Sequence, residues 1–435
     1  MISSTSVGMG HLALAWGVMS MGYGARELSL VLACNAFPAL LILCGGIIGD
    51  RFRRHHVLIG AELTACLAWL ALGASFTIDQ APLPLLCSLA GLGGVATAIF
   101  LPTIRGVIAD LLGGDKRLAG NALINQTESI GHLIGFVSSG AAVTLVGPAW
   151  AAGARGALCG ISAALLTRLA THRPSRTAAS PLQDLRQGWQ EFIRRPWVWI
   201  MTLHYTVITT ALVCYMKIAG PVYTQHGHGG AWAWGIISAA QPLGALAGAL
   251  IGARWRPPRL LLITATLPAS ISLPMLVMGG GSSWQLIALA AVIPGVLQAV
   301  YYVFWTTALQ NRIPHEVLVR VNSWNIVTSY MMMPLIVLLS GPLVAAFGPQ
   351  PIILAAATAT ITATAATLIT LRLTPTAHLP TEKPQPQNKT TPTGPQPDKT
   401  PTGQPHPQHW LHKSHPPWAR TRRTPTSSKR TDLPN

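Results

Sequence analysis

The chain has 435 residues, of which 50% are apolar and 10% charged, with 30 Lys and Arg against 13 Asp and Glu. A soluble domain carries about a quarter charged residues, so the composition excludes an ordinary soluble enzyme. Nor does the positive excess form a nucleic-acid patch, because the basic residues sit in short clusters between apolar runs of roughly 20 residues, the length that crosses a bilayer.

Apolar runs broken by charge or turn residues predict an all-α membrane protein with twelve spans. Their limits are about 4–22, 28–49, 57–76, 83–104, 118–146, 149–170, 197–219, 231–253, 259–279, 284–308, 318–346 and 351–372. The stretch from Met1 to Gly22 lacks a positive n-region and reads as a first membrane helix rather than a cleaved signal. Pro38, Pro242, Pro294 and Pro334 fall inside spans; neighbouring helices re-satisfy the backbone groups that such residues free. The six cysteines lie in apolar runs without metal or redox spacing and read as small core residues.

Basic residues set the orientation. With both termini in the cytoplasm, the inner loops hold seventeen Lys and Arg without the terminal tail, and the outer side holds Arg26, Arg155 and Lys217. That asymmetry satisfies the positive-inside rule loop after loop. Lys217 is close enough to the outer surface to snorkel there.

Two composition breaks organise the chain. Residues 171–196 form the longest internal polar stretch, separating a six-span half at 1–170 from a second at 197–372. Within it Leu182, Leu185, Trp189 and Ile193 recur at helical spacing, which predicts a short amphipathic helix at the inner membrane surface. Residues 373–435 hold 14 of the 34 prolines among Thr, Gln and Lys; with almost no aliphatics to bury, this tail is expected to be disordered. Its His406, His409, His412 and His415 recur every third residue, one face of a polyproline-II helix. No rigid scaffold surrounds them, so no metal site is assigned.

The halves share a signal. Gly45 to Leu58 (GGIIGDRFRRHHVL) and Gly248 to Leu261 (GALIGARWRPPRLL) align at one constant offset, each running a glycine-bearing helix end into Arg–aromatic–Arg. Six spans, a basic loop and six more spans with corresponding loops are the pattern of transporters built from repeats. Gly46-Ile47-Ile48-Gly49-Asp50-Arg51-Phe52-Arg53-Arg54 resembles the loop motif between helices 2 and 3 of the major facilitator superfamily, with Arg53 where that family has its later glycine. Phe100-x-Pro102, Leu118 to Leu123, Gly188-Trp189, Arg195-Pro196-Trp197 and the stretch Leu309 to Val321 resemble the drug and siderophore efflux branch, the macrolide-efflux and enterobactin-exporter-like proteins. The Gly-Pro common in helix 5 of exporters is replaced by Gly135-Phe136. Against the family pattern the first span is short and lacks a basic arm, so Met1 reads as an internal start.

The resemblance implies a twelve-helix secondary transporter of the inner (plasma) membrane. It would export amphipathic small molecules against protons by alternating access; an importer of the same fold stays open. So does a non-transporting membrane protein whose basic tail docks lipid or a partner. No nucleotide loop, nucleophile–base pair or metal-ligand cluster stands out, so neither cofactor nor metal nor enzyme activity is expected. The expected partners are the substrate, protons and the bilayer, with no nucleic acid and a monomeric chain.

Asp50, Arg51 and Arg54, with Glu62 within reach, resemble the superfamily's inner gate; plain positive-inside anchoring is the alternative. Gln298, Tyr301/Tyr302 and Trp305 follow helical spacing on the tenth span and point to a cavity for a large apolar ligand, or to interhelical packing. Tyr205 and His204 on the seventh span are weaker cavity candidates. Glu128 lies about ten residues into the fifth span, roughly 15 Å deep at a 1.5 Å rise. An embedded carboxylate costs on the order of 2.5–3.5 kcal/mol, which protonation or a partner offsets. His132 follows at i+4, so the two read as a proton-coupling pair or as a pair that merely orders the bundle.

Overall fold

The computed structural model describes residues 1–41, 54–78, 81–111, 117–168, 181–255 and 257–373. Asp50, Arg51, the first copy of the basic repeat and the tail with its histidines lie outside the described residues. Every described element is helical. In chain order these are α1 (Ile2–Ser20), α2 (Ala25–Ala36, tightening into a 3-10 turn at Phe37–Leu41), α3 (Arg54–Ser75), α4 (Leu83–Leu111), α5 (Arg117–Leu145) and α6 (Pro148–Leu166). After the central loop come α7 (Pro181–Ile193), α8 (Pro196–Gln225), α9 (Gly230–Arg254), α10 (Leu260–Gly279), α11 (Trp284–Arg312), α12 (His315–Met331), α13 (Met333–Phe347) and α14 (Pro349–Leu373). Helix thus occupies the described part of each of the twelve predicted spans, the eleventh by α12 and α13 together, with Pro334 in the first turn of the latter. Among the described residues, nine helical stretches are long and apolar enough to cross a membrane.

Proline starts α6 and α8, where its missing N–H costs nothing. Between α5 and α6 the chain reverses at Gly147, whose φ of 95° suits a residue without Cβ. Large apolar side chains such as Leu67, Leu289 and Ile369 point outward, the surface a lipid-facing bundle requires.

Helix pairs in such a bundle are held by close backbone approach at small residues. Gly244, Gly248 and Gly252 lay one face of α9 against the backbone of α11 at Val292, Val296 and Val300. On the other side of the molecule, Gly131 and Gly135 seat α5 against α1 at Ser4, Thr5 and Gly8, and the Ser139 hydroxyl donates to the Met9 carbonyl at 2.8 Å. Gly73 and Gly156 bring α3 and α6 together in the same way.

Helices α1 to α6 pack chiefly with one another, as do α8 to α14. Two seams join the groups, α5 with α9 and α2 with α13. Gly140 meets Gly235 and the Ala231 carbonyl in the first seam. In the second, Gly341 abuts Ser29 and the Ala25 carbonyl, and the Ser29 hydroxyl lies 3.3 Å from the Leu338 carbonyl. Both joints fall at the end where α1 and α5 finish and α2 and α9 begin, called the upper end below.

The amphipathic helix of the central loop is present as α7, but its docked face differs from the predicted stripe. Gly188 and Phe192 are buried, with Gly188 against Trp324 and Gln187 accepting a hydrogen bond from Arg320 at 2.8 Å. Trp189 and Ile193 are exposed, although Trp189 also touches the Trp324 ring edge. An amphipathic helix lying on a membrane has two apolar demands, one from the protein and one from the lipid, and the sequence stripe reported only the second.

Candidate functional site

Four predicted positions lie on α11, and the structure separates them. Tyr301 is buried and stacks on Tyr205 of α8 at 4.9 Å between ring centres and 12° between planes. Trp305, one turn on, is buried edge-on against Trp197, 5.9 Å away. Tyr302 is 59% exposed, since adjacent helical residues point about 100° apart. Gln298 is half-buried, and its side-chain oxygen has no hydrogen-bond partner. Tyr301, Trp305 and Tyr205 therefore tie α11 to α8. His204 likewise reaches across to α14, 3.0 Å from the Thr364 hydroxyl. Further along α8 and α11 a narrow, mostly apolar cleft is lined by Tyr215, Met216, Ile237, Gln241 and Pro294 among others.

The acids sit elsewhere, in the α1–α6 group. Glu62 on α3 is 3% exposed and accepts a hydrogen bond from Ser162 of α6 at 3.0 Å. It is eight residues from Arg54, a rise of about 12 Å. Its partners lie on the α1/α6 seam, which corrects its expected place with the loop arginines; an embedded carboxylate takes the nearest donors, and those are hydroxyls of neighbouring helices. Arg54 opens α3 and is half-buried.

On α6, Arg155, Cys159 and Ser162 recur on one face (i, i+4, i+7), turned to Ser6, Val7 and Gly10 of α1. Arg155, one of the three outer-side charges, lies in the second turn of α6 and is 7% exposed. Its guanidinium carbon sits 3.8 Å from the Trp69 ring centre, and one N–H reaches the Val7 carbonyl at 3.4 Å. A side chain at Gly10 would collide with this guanidinium, so the missing Cβ there is what gives Arg155 its room. Indole stacking and one long hydrogen bond are modest compensation for a buried cation, and Nε has no partner.

Glu128 and His132 occupy one face of α5, both half-buried and within electrostatic reach of each other. Among the described residues Glu128 makes no hydrogen bond and no ion pair within 4.0 Å. The His132 ring stacks near Phe136, whose other side approaches His11 of α1. Sequence reasoning did not single out His11, Arg155 or Gly10; an arginine within an apolar span was the available signal for the second.

A helical bundle with a repeated glycine-packed architecture and charged groups buried between its helices is a membrane transporter in type. The chain belongs to the Major Facilitator Superfamily, whose family model matches residues 1–335. It is similar to the enterobactin exporter EntS of Escherichia coli O1:K1 / APEC, with 24% identity over 326 residues covering 74% of this chain and 77% of the exporter. The exporter of Shigella boydii serotype 18 (strain CDC 3083-94 / BS512) matches to the same extent. In fold it is similar to the nucleoside transporter NupG, with TM-score 0.68 and 11% identity over 85% of this chain and 96% of that one. A bacterial homologue of the human lysosomal transporter Spinster, in an inward-facing and unoccupied conformation, aligns with TM-score 0.64 and 13% identity over 87% and 96% of the two chains. The protein is therefore a multi-pass membrane transporter of small molecules.

Proposed function

We propose that this transporter exports amphipathic small molecules from the cytoplasm by rocking residues about 1–170 against 197–372, driven by protons. The observation carrying this reading is the location of the joints between the two helix groups. Gly140 with Gly235, and Gly341 with Ser29, close the upper end. With both termini in the cytoplasm, as the basic loops favour, the upper end faces outward and the site would be reached from inside, where an exporter of the inner membrane loads its substrate. Similarity to enterobactin exporters supports the direction.

In this reading Asp50, Arg51 and Arg54 form the inner gate, since ion pairs at a wet interface are weak enough to open and close. Gln298, with an unpartnered oxygen, and Tyr302, with an exposed ring, offer polar and aromatic contacts to substrate. Tyr205, Tyr301 and Trp305 brace that wall from behind. Glu128 carries the coupling proton beside His132: it is half-buried and, among the described residues, makes no hydrogen bond and no ion pair within 4.0 Å.

The test is Glu128→Gln in reconstituted vesicles. Proton-driven accumulation should disappear while exchange of substrate without a gradient survives. Loss of both activities, or of neither, removes Glu128 from the coupling step.

A further inference from the structure

The long helix α8 changes pitch once. Residues Tyr215–Ala219 form a π turn, and Lys217 sits within it. A π turn inside a helix is strained relative to α geometry and recurs where a side chain must be re-aimed for function. The turn packs against α13 and α14 and also reaches α1 and α2, which places Lys217 at the boundary between the two helix groups.

What faces Lys217 there is unusual. Arg155, His11 and His132, all from the first group, lie within its electrostatic reach. Among the described residues Lys217 makes no hydrogen bond and no ion pair. Two carboxylates of the first group border the cluster, Glu62, which accepts from Ser162 and lies within electrostatic reach of Arg155, and Glu128 beside His132; neither is within electrostatic reach of Lys217. Gly10 lets the arginine of α6 lie against α1, and the imidazole of the next residue, His11, reaches the Phe136 ring that His132 also flanks. Four helices thus bring a lysine, an arginine and two imidazoles together, with the junction of the halves running between Lys217 and the other three.

We propose that this cluster is an anion subsite, and that the transported molecule carries an acidic group, a carboxylate or its equivalent, that bridges Lys217 to Arg155 and the imidazoles. The proposal rests on the export reading above and names its substrate class. Like charges facing each other across a closed junction repel, and in a low-dielectric interior that repulsion is poorly screened. An anion between them turns repulsion into attraction on both sides. Substrate binding would therefore favour the state with its upper end closed, and departure of the anion would release it. An apolar body on the same molecule suits the aromatic and aliphatic helix faces nearby, so charge recognition and amphipathic character belong to one ligand.

The experiment uses the full-length protein purified in a neutral detergent, with naphthalene-1-acetate and its uncharged amide as probes. Binding is read as the ligand-induced rise in unfolding temperature, which grows with ligand concentration over dissociation constant. Wild type should bind the acetate at least about tenfold more tightly than the amide, as a charge-assisted contact implies. Lys217→Gln should abolish that preference and leave amide binding unchanged, while Lys217→Arg should keep it. Without any ligand, Lys217→Gln should unfold at a higher temperature than wild type, because a repulsive charge has gone. Equal binding of the two probes by wild type, or an undiminished preference in Lys217→Gln, overturns the subsite and leaves the export reading standing. Binding of neither probe takes down the amphipathic-substrate reading and the subsite with it.

Discussion

The two helix groups of this transporter are filled with different material. The second group is stitched by aromatic pairs: Tyr301 on Tyr205, Trp305 on Trp197, Tyr215 edge-on to Trp234. Glycine contacts run through both groups, but what the first adds to them is a polar seam in which Glu62, Ser162, Cys159 and Arg155 meet α1. Aromatic stacking is indifferent to protonation and bound ions, whereas a buried seam of charges responds to both. On the proposed reading, the second group is the rigid partner and the first, with Lys217 offered to it across the junction, is the part that senses substrate and protons.

The contrast can be broken most directly by removing an aromatic. Tyr301→Ala deletes the stacked ring over Tyr205 and leaves a cavity, and should cost about 3 kcal/mol of stability, measured by denaturant unfolding in detergent. A loss below about 1 kcal/mol would mean that the second group is not held by these rings. Next in size is Gly10→Leu, which forces a side chain into the space of the Arg155 guanidinium. Overpacking of this kind costs about 1–3 kcal/mol, and pairing it with Arg155→Ala should recover most of the loss in a double-mutant cycle.

Arg155→Met should move the other way. A buried cation held by one indole face and one long hydrogen bond is replaced by an apolar chain of similar length, so stability should hold or rise by about 1 kcal/mol. The preference for naphthalene-1-acetate over its amide should fall at the same time. Stability lost together with preference would make Arg155 a structural pillar and erase the distinction between the groups.

The smallest effect concerns the corner between α7 and α8, outside the spans. Arg195 donates to Glu191 at 2.6 Å, with Arg194 at 3.3 Å, and the hydrogen bond from Arg195 holds the Glu191 carboxyl below its usual value. A depressed carboxylate stabilises the fold above its unfolded value, about 4.3, and that contribution is lost as pH falls through the lower folded value. Glu191→Gln should therefore cost no more than about 0.5 kcal/mol at neutral pH. The difference from wild type should shrink as pH falls below about 4 and vanish once the folded carboxyl is protonated; a difference that persists there would assign the corner to packing instead.

Much of this was legible in residue order. Apolar run length placed every described span, because a bilayer demands about 20 residues per crossing whatever the neighbours are. The basic repeat and the loop motifs pointed to the right superfamily. The candidate site was less legible. On α11, periodicity grouped Tyr301, Tyr302 and Trp305, yet one residue of rotation separates a ring stacked on Tyr205 from a ring that is exposed. On α3, the sequence distance from Glu62 to Arg54 was short, but the hydroxyl that claims Glu62 comes from a residue a hundred positions away.

By itself the sequence determined that the chain is a helical membrane transporter of repeated design, since length, hydropathy and charge asymmetry are local quantities that solvent reads one segment at a time. Only the tertiary structure decided which charges meet. Arg155 looked like an outer-loop anchor and Lys217 like a snorkelling one, each sensible within its own helix. Packing of α6 and α8 around α1, made possible by a missing Cβ at Gly10 and a π turn at Lys217, brings them within reach of each other. Such a meeting depends on the relative placement of helices far apart in the chain, and no single span carries that information.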